Sequence, residues 1–145
     1  MKPQRLQTAG LLMFISGIIN VVYSGMMVLV FLFLIAHASI MIGVFSSVPE
    51  MGGEEAPFPL WIFFIFYAVM FTIIMVSLLY FLIVGVMEIK NGNLLRADED
   101  NLDKAPITVS VLGIICYLLG NQISGILEII ALVFMTDSEC KKYFD

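Results

Sequence analysis

Apolar and polar positions along this chain are segregated into long blocks rather than alternating with a helical or strand period. No Asp, Glu, Lys or Arg falls between Arg5 and Glu50, between Glu55 and Glu88, or between Lys104 and Glu128. Each block is longer than the ~20 apolar residues that carry a helix across ~30 Å of hydrocarbon. Barrel strands would be short and alternating in polarity, so helix is the spanning form. The pattern predicts an all-α, polytopic membrane helical bundle. It forms one membrane domain over residues 1–145, with three long transmembrane helices at about 8–36, 60–89 and 106–135. A weakly apolar stretch, His37 to Val48, extends the first helix or lies in the interface.

The intervening stretches break helix for identifiable reasons. Residues 49–59 contain Pro49, Pro57, Pro59 and Gly52-Gly53 together with Glu50, Glu54 and Glu55, which disfavour both helix and lipid. Trp61 opens the second segment at interfacial depth. The linker 90–105 carries Asn91-Gly92-Asn93 and Asp98-Glu99-Asp100, and Pro106 suits the first turn of the third segment.

Lys and Arg counts set the orientation. The N-terminal tail has two, the loop 49–59 none, the linker three and the C-terminal tail two. The N-terminus and linker are therefore expected in the cytoplasm of a cell-membrane protein, with the acidic loop outside. Three spans leave Lys141 and Lys142 outside, against the rule. A fourth crossing, with segment three turning as a hairpin at Gly120-Asn121-Gln122, repairs this, but each arm would be ~21 Å long, short of the hydrocarbon core. Geometry favours three spans and the charge rule favours four.

Composition narrows the function. The chain is 61% hydrophobic and 13% charged, where about 25% charged is usual for soluble domains. One soluble core of 145 residues cannot hide that much apolar surface. A net charge of −5 with seven Lys plus Arg argues against a nucleic-acid partner and disfavours a polybasic lipid-binding role. The apolar run from Ala9 to Ala36 exceeds the ~7–15 residues of a signal h-region, so the first span is expected to stay uncleaved despite Ala36-His37-Ala38. Cys116 and Cys140 are not expected to pair. If segment three is one helix, ~28 Å of rise separates Cys116 from its end, and Cys140 reads as a tail thiol or a palmitoylation site.

The polar residues inside the apolar blocks are the candidates for chemistry. Tyr117, Asn121, Ser124 and Glu128 fall on one face of a continuous helix, with Gly113 on the same side. Ser16, Asn20 and Ser24 recur every four residues on segment one, with Gly17 beside them, and Asn20 is placed to bond Asn121 or Tyr117. Glu128 reads either as interhelical glue at the edge of the hydrocarbon or as an ion- or proton-linked group. Glu88, close to Lys90, reads as interfacial. His37 lacks a second ligand nearby, the loop acids lack ordered spacing, and the ten methionines are scattered, so no metal site and no cofactor are expected. No catalytic motif is present, and the two arginines lie in the terminus and linker, so the chain is not expected to be an enzyme.

Short echoes recur. Ile15-Ser16-Gly17-Ile18 returns as Ile123-Ser124-Gly125-Ile126, and Gly85-Val86-Met87-Glu88-Ile89 resembles Gly125-Ile126-Leu127-Glu128-Ile129. The copies differ in depth, and a small apolar alphabet produces such echoes by chance, so duplication is not the expectation.

Thr8-Ala9-Gly10-Leu11-Leu12-Met13, Ser16-Gly17-Ile18-Ile19-Asn20 and Ser124-Gly125-Ile126-Leu127-Glu128-Ile129-Ile130-Ala131-Leu132-Val133 resemble small prokaryotic multi-span membrane proteins of unknown function. The chain is more distantly similar to the tetraspan family that includes a B-cell surface marker. Both resemblances imply an integral membrane protein of assembly or association. The expected function is therefore non-enzymatic: a lipid-embedded protein that forms a homo-oligomer or joins a larger membrane complex through Ser16/Asn20/Ser24 and Gly113/Asn121/Ser124. The alternatives are a pore or carrier subunit with Glu128 as the ion-linked group, and a holin-like lesion former.

Overall fold

The computed structural model describes residues 2–47, 60–97 and 104–144. The acidic loop 49–59, with Glu50, Glu54 and Glu55, and the acidic run of the linker lie outside the described residues. Every element among the described residues is helical: α1 (Gln4–Ser47), α2 (Leu60–Arg96), α3 (Ile107–Leu118), α4 (Gln122–Met135) and α5 (Ser138–Phe144). Two stretches, Gln4–Val44 and Trp61–Arg96, are long and apolar enough to cross a membrane. At 1.5 Å per residue the 44 residues of α1 rise about 66 Å, beyond the 8–36 segment read from the pattern. Likewise α2 continues past residue 89 to Arg96.

The third apolar segment is not one helix. It breaks between Leu118 and Gln122, and α3 and α4 fold back on each other as a hairpin about 18 and 21 Å long. Gly120 supplies the reason, since its φ of 103° is left-handed and a side chain there would be strained. The turn satisfies its own backbone. Leu119 N–H donates to Ile115 O, Gly120 N–H to Tyr117 O, and Asn121 N–H to Cys116 O at 3.0 Å. The Asn121 side chain then accepts from Ser124 N–H as the N-cap of α4. Gly125 permits close closure of the hairpin, because a methyl there would collide with Tyr117.

Contacts divide the chain into two units, Met1–Ser24 with Leu79–Asp145, and Gly25–Leu78. In the first, α1 and α2 run antiparallel and touch through glycines at seven-residue spacing. A methyl on Gly17 would stand 2.6 Å from the Gly85 carbonyl oxygen, and one on Gly92 would stand 2.7 Å from the Gly10 carbonyl oxygen. The start of α1 sits beside the ends of α2 and α4. Lys2 Nζ donates to Leu94 O at 3.3 Å and Ala97 O at 2.6 Å, placing a cation on the carbonyl end of α2. Arg5 pairs with Asp137 at 2.7 Å, just past α4. Beneath these contacts Leu6, Ala9, Leu95, Met135 and Cys140 form one buried cluster. Cys140 is therefore not a free-standing tail thiol. It is buried on α5, and burial, then Asp137 and Glu139, push its thiol pKa up, with Arg5 opposing. Both cysteines are free.

The second unit is built on aromatic contacts, some between α1 and α2 and some along α2 itself. Phe31 meets Phe71 edge-on at 5.3 Å, Phe63 meets Tyr67 at 4.5 Å, and His37 stacks on Tyr67 and hydrogen-bonds its hydroxyl through Nδ1. No group of His, Cys, Asp and Glu that would hold a metal occurs among the described residues.

Candidate functional site

Most of the buried polar side chains of the first unit converge on one point. Ser16, Asn20, Glu88, Ser110, Ser124 and Glu128 have no exposed surface, and Ser24 and Asn121 have almost none. Two hydrogen-bonded chains begin on α4, cross α1 and end on the same oxygen of α2. In one, Asn121 Nδ2 donates to Asn20 Oδ1 at 2.7 Å, and Asn20 Nδ2 donates to Glu88 Oε2 at 2.8 Å. In the other, Ser16 Oγ lies 2.7 Å from Ser124 Oγ and donates to Glu88 Oε2 at 3.2 Å. A hydroxyl carries one proton, so with Ser16 donating to Glu88, Ser124 donates to Ser16.

Glu128 faces Glu88 from α4. Both approach over Gly113 of α3, where a methyl would collide with Glu88 Oε1 and stand 2.5 Å from Glu128 Cγ. The missing side chain of Gly113 is what lets two carboxyl groups reach one place. Glu88 Oε1, both carboxyl oxygens of Glu128 and Ser110 Oγ are buried without a hydrogen-bond partner. Ser110 and Ser16 are the hydroxyls that approach Glu128, without closing a hydrogen bond of normal geometry. Tyr80 and Cys116 are the other titratable groups near the pair, and Tyr80 Oη donates to Leu112 O at 2.8 Å.

The basic residues are elsewhere. Lys2 is held on the end of α2, Arg5 on Asp137, and Arg96 over the Phe14 ring at 5.3 Å. Lys90, Lys104, Lys141 and Lys142 are exposed. Two buried carboxyl groups thus stand together with no cationic side chain between them. An isolated ionised carboxylate is costly to bury, so such a pair requires a cation or a proton from outside the protein.

This arrangement corrects several expectations. Tyr117, Asn121, Ser124 and Glu128 do not form a stripe on one helix. Tyr117 ends α3 and is 43% exposed, while Asn121 caps α4 and Ser124 and Glu128 point into the core. Glu88 is fully buried and accepts from Ser16 and Asn20, while Glu128 is fully buried with neither carboxyl oxygen hydrogen-bonded, so it does not act as hydrogen-bonded glue. The faces assigned to a partner are occupied within one chain: Ser16, Asn20 and Ser124 bond each other's networks, and Gly17 lies against Gly85. Sequence reasoning missed Ser110, read Glu88 only as an interfacial residue, and named Gly17 and Gly113 as packing residues without Gly10, Gly85 and Gly92. The seven-residue spacing of Gly10/Gly17 and of Gly85/Gly92 was a usable signal, as was the shared Gly-x-x-Glu of residues 85–88 and 125–128. Nothing in the sequence distinguished Ser110 as part of the site.

No protein-family model, curated protein or solved structure matches this chain. The geometry of the carboxyl pair carries the functional argument alone.

Proposed function

We propose that this chain is a multi-pass protein of the cell membrane whose Glu88–Glu128 centre takes up and releases a small cation, as a pore or carrier subunit. One observation carries the reading: two fully buried, facing carboxyl groups hold three unpartnered oxygens, with no Lys or Arg beside them among the described residues. Ionisable residues at membrane depth are costly and mark ion or proton pathways.

The topology that goes with this reading has α1 and α2 crossing the bilayer and α3–α4 entering and leaving by one face. Supporting it, the arms of the hairpin are too short for the hydrocarbon core, while Leu118, Leu119 and Ile123 around its turn are exposed, Leu118 at 80%. The internal hydrogen bonds of the turn suit a setting without water. Such a re-entrant hairpin returns the C-terminal tail to the side of Arg5, as the Arg5–Asp137 pair requires. All seven basic residues then share one side, the cytoplasmic one under the charge rule. The conflict between helix length and lysine position disappears.

The test is flux in sealed vesicles containing the purified chain, followed with a pH-sensitive dye and with cation-sensitive dyes. The wild type should conduct, and Glu128→Gln and Glu88→Gln should each stop it. Undiminished flux in both variants would refute the proposal. An association role has weaker support, because the faces that suggested it are buried inside the protomer.

A further inference from the structure

We infer that α1–α2 and α3–α4 are two copies of one helical hairpin, that Glu88 and Glu128 are equivalent positions in them, and that the two carboxyl groups share a single proton. The inference deepens the ion-linked reading above and rests on it for its consequence in transport. Its geometry and its proton count stand separately.

The second helices of the two hairpins align at residue numbers 40 apart. Ile83, Gly85, Glu88 and Ile89 match Ile123, Gly125, Glu128 and Ile129. Across residues 81–88 and 121–128, buried, half-buried and exposed positions follow in the same order without exception. The first helices align at numbers 100 apart, where Thr8, Leu12 and Ile15 match Thr108, Leu112 and Ile115. Ala9, Gly10, Met13 and Ser16 are buried, as are their counterparts Val109, Ser110, Gly113 and Cys116. Direction agrees as well: α2 and α4 both end beside the start of α1, held there by Lys2 and Arg5. The two offsets differ because the first copy carries the Gly25–Leu78 unit between its helices, whereas the second turns at once at Gly120. The echo of Ile15–Ile18 in Ile123–Ile126 joins helices of opposite direction, so it is not this repeat. In both copies the glutamate stands about two turns before the end of its helix, so the two meet at one depth.

A metal ion is poorly served at this meeting point. Calcium takes six to eight oxygen ligands and magnesium six. The unpartnered oxygens are Glu88 Oε1, the two of Glu128 and Ser110 Oγ, because Glu88 Oε2 already accepts from Ser16 and Asn20. The space that the absent side chain of Gly113 leaves is already filled by Glu88 Oε1 and the Glu128 side chain. A proton needs neither a coordination shell nor a cavity. One carboxyl O–H donates to the facing carboxylate, and no other bond changes. Around the pair, α1 presents the neutral Ser16 and Asn20, α2 presents Tyr80, and α3 presents Ser110 and Cys116, so no fixed cation competes for the carboxylate.

The experiment counts protonated carboxyl groups by infrared spectroscopy of the full chain in detergent, with glutamate isotopically labelled. It is run near neutral pH, where ordinary carboxylates are ionised. The wild type should show one protonated glutamate per chain. Glu88→Gln and Glu128→Gln should each lose that band to the same extent, because the new amide donates to the remaining carboxylate in place of the proton. Two bands or none in the wild type, a band displaced by adding sodium, calcium or magnesium, or single variants that behave differently from each other would overturn the inference. The wild-type count needs no variant to fold. A one-proton band in a protein without flux would leave the shared proton and remove the transport reading. Flux that depends on Glu128 alone would do the reverse.

Discussion

Gly17→Ala tests whether α1 and α2 are held together by backbone contact. A methyl at Gly17 would sit 2.6 Å from the Gly85 carbonyl oxygen and 2.8 Å from the Ile89 nitrogen, both rigid main-chain atoms. Relief requires the helices to separate locally by about 0.9 Å to reach the ~3.5 Å of ordinary contact. A radial gap of that size forfeits roughly a quarter to a half of the dispersion attraction of each atom pair it opens. Overpacking of this kind costs about 1–3 kcal/mol, and alanine returns about 1 kcal/mol as the better helix former. The net expectation is a loss of up to about 2 kcal/mol. Gly25→Ala is the internal control, since nothing lies within 4 Å of its added methyl, so it should be neutral or stabilising by up to about 1 kcal/mol. The assay is unfolding of both variants in mixed detergent micelles, followed by circular dichroism at matched protein and detergent. Equal midpoints for Gly17→Ala and Gly25→Ala would refute backbone contact at Gly17.

Asn121→Leu removes the donor to Asn20 Oδ1 and the cap acceptor for Ser124 N–H, so unfolding should become easier by about 2–4 kcal/mol, with no change in oligomer size on detergent gel filtration. Cys140 should be alkylated slowly in the folded protein and quickly once unfolded, as mass spectrometry would register, because burial and its acidic neighbours hold the thiol protonated and only thiolate reacts. Tags on the N- and C-termini should be reached by an impermeant reagent from the same side of sealed vesicles, as the Arg5–Asp137 pair demands, and labelling from opposite sides would rule out the re-entrant hairpin.

The blocks of charge-free sequence by themselves determined the helical class and the presence of two long apolar helices, though not their ends, because an uninterrupted apolar run leaves hydrogen-bonded helix as its stable form in lipid. They also marked Ser16, Asn20, Asn121 and Ser124 as residues that turn inward, since polar groups among apolar ones seek each other. What those residues meet was not written in their spacing. A one-helix projection put Tyr117 and Glu128 on a common face, and a single left-handed residue, Gly120, dissolved it. Glu88 looked interfacial because Lys90 is two residues away, yet those two side chains leave α2 in different directions, and the neighbours that bury Glu88 come from three other helices. Only the tertiary structure decided that the polar faces serve one chain internally, that Gly113 leaves space for two carboxyl groups, and that these oxygens lack partners. The physical reason is range: hydropathy is a local sum along the chain, whereas a carboxyl pair is made by residues 40 positions apart whose meeting depends on how helices turn and cross.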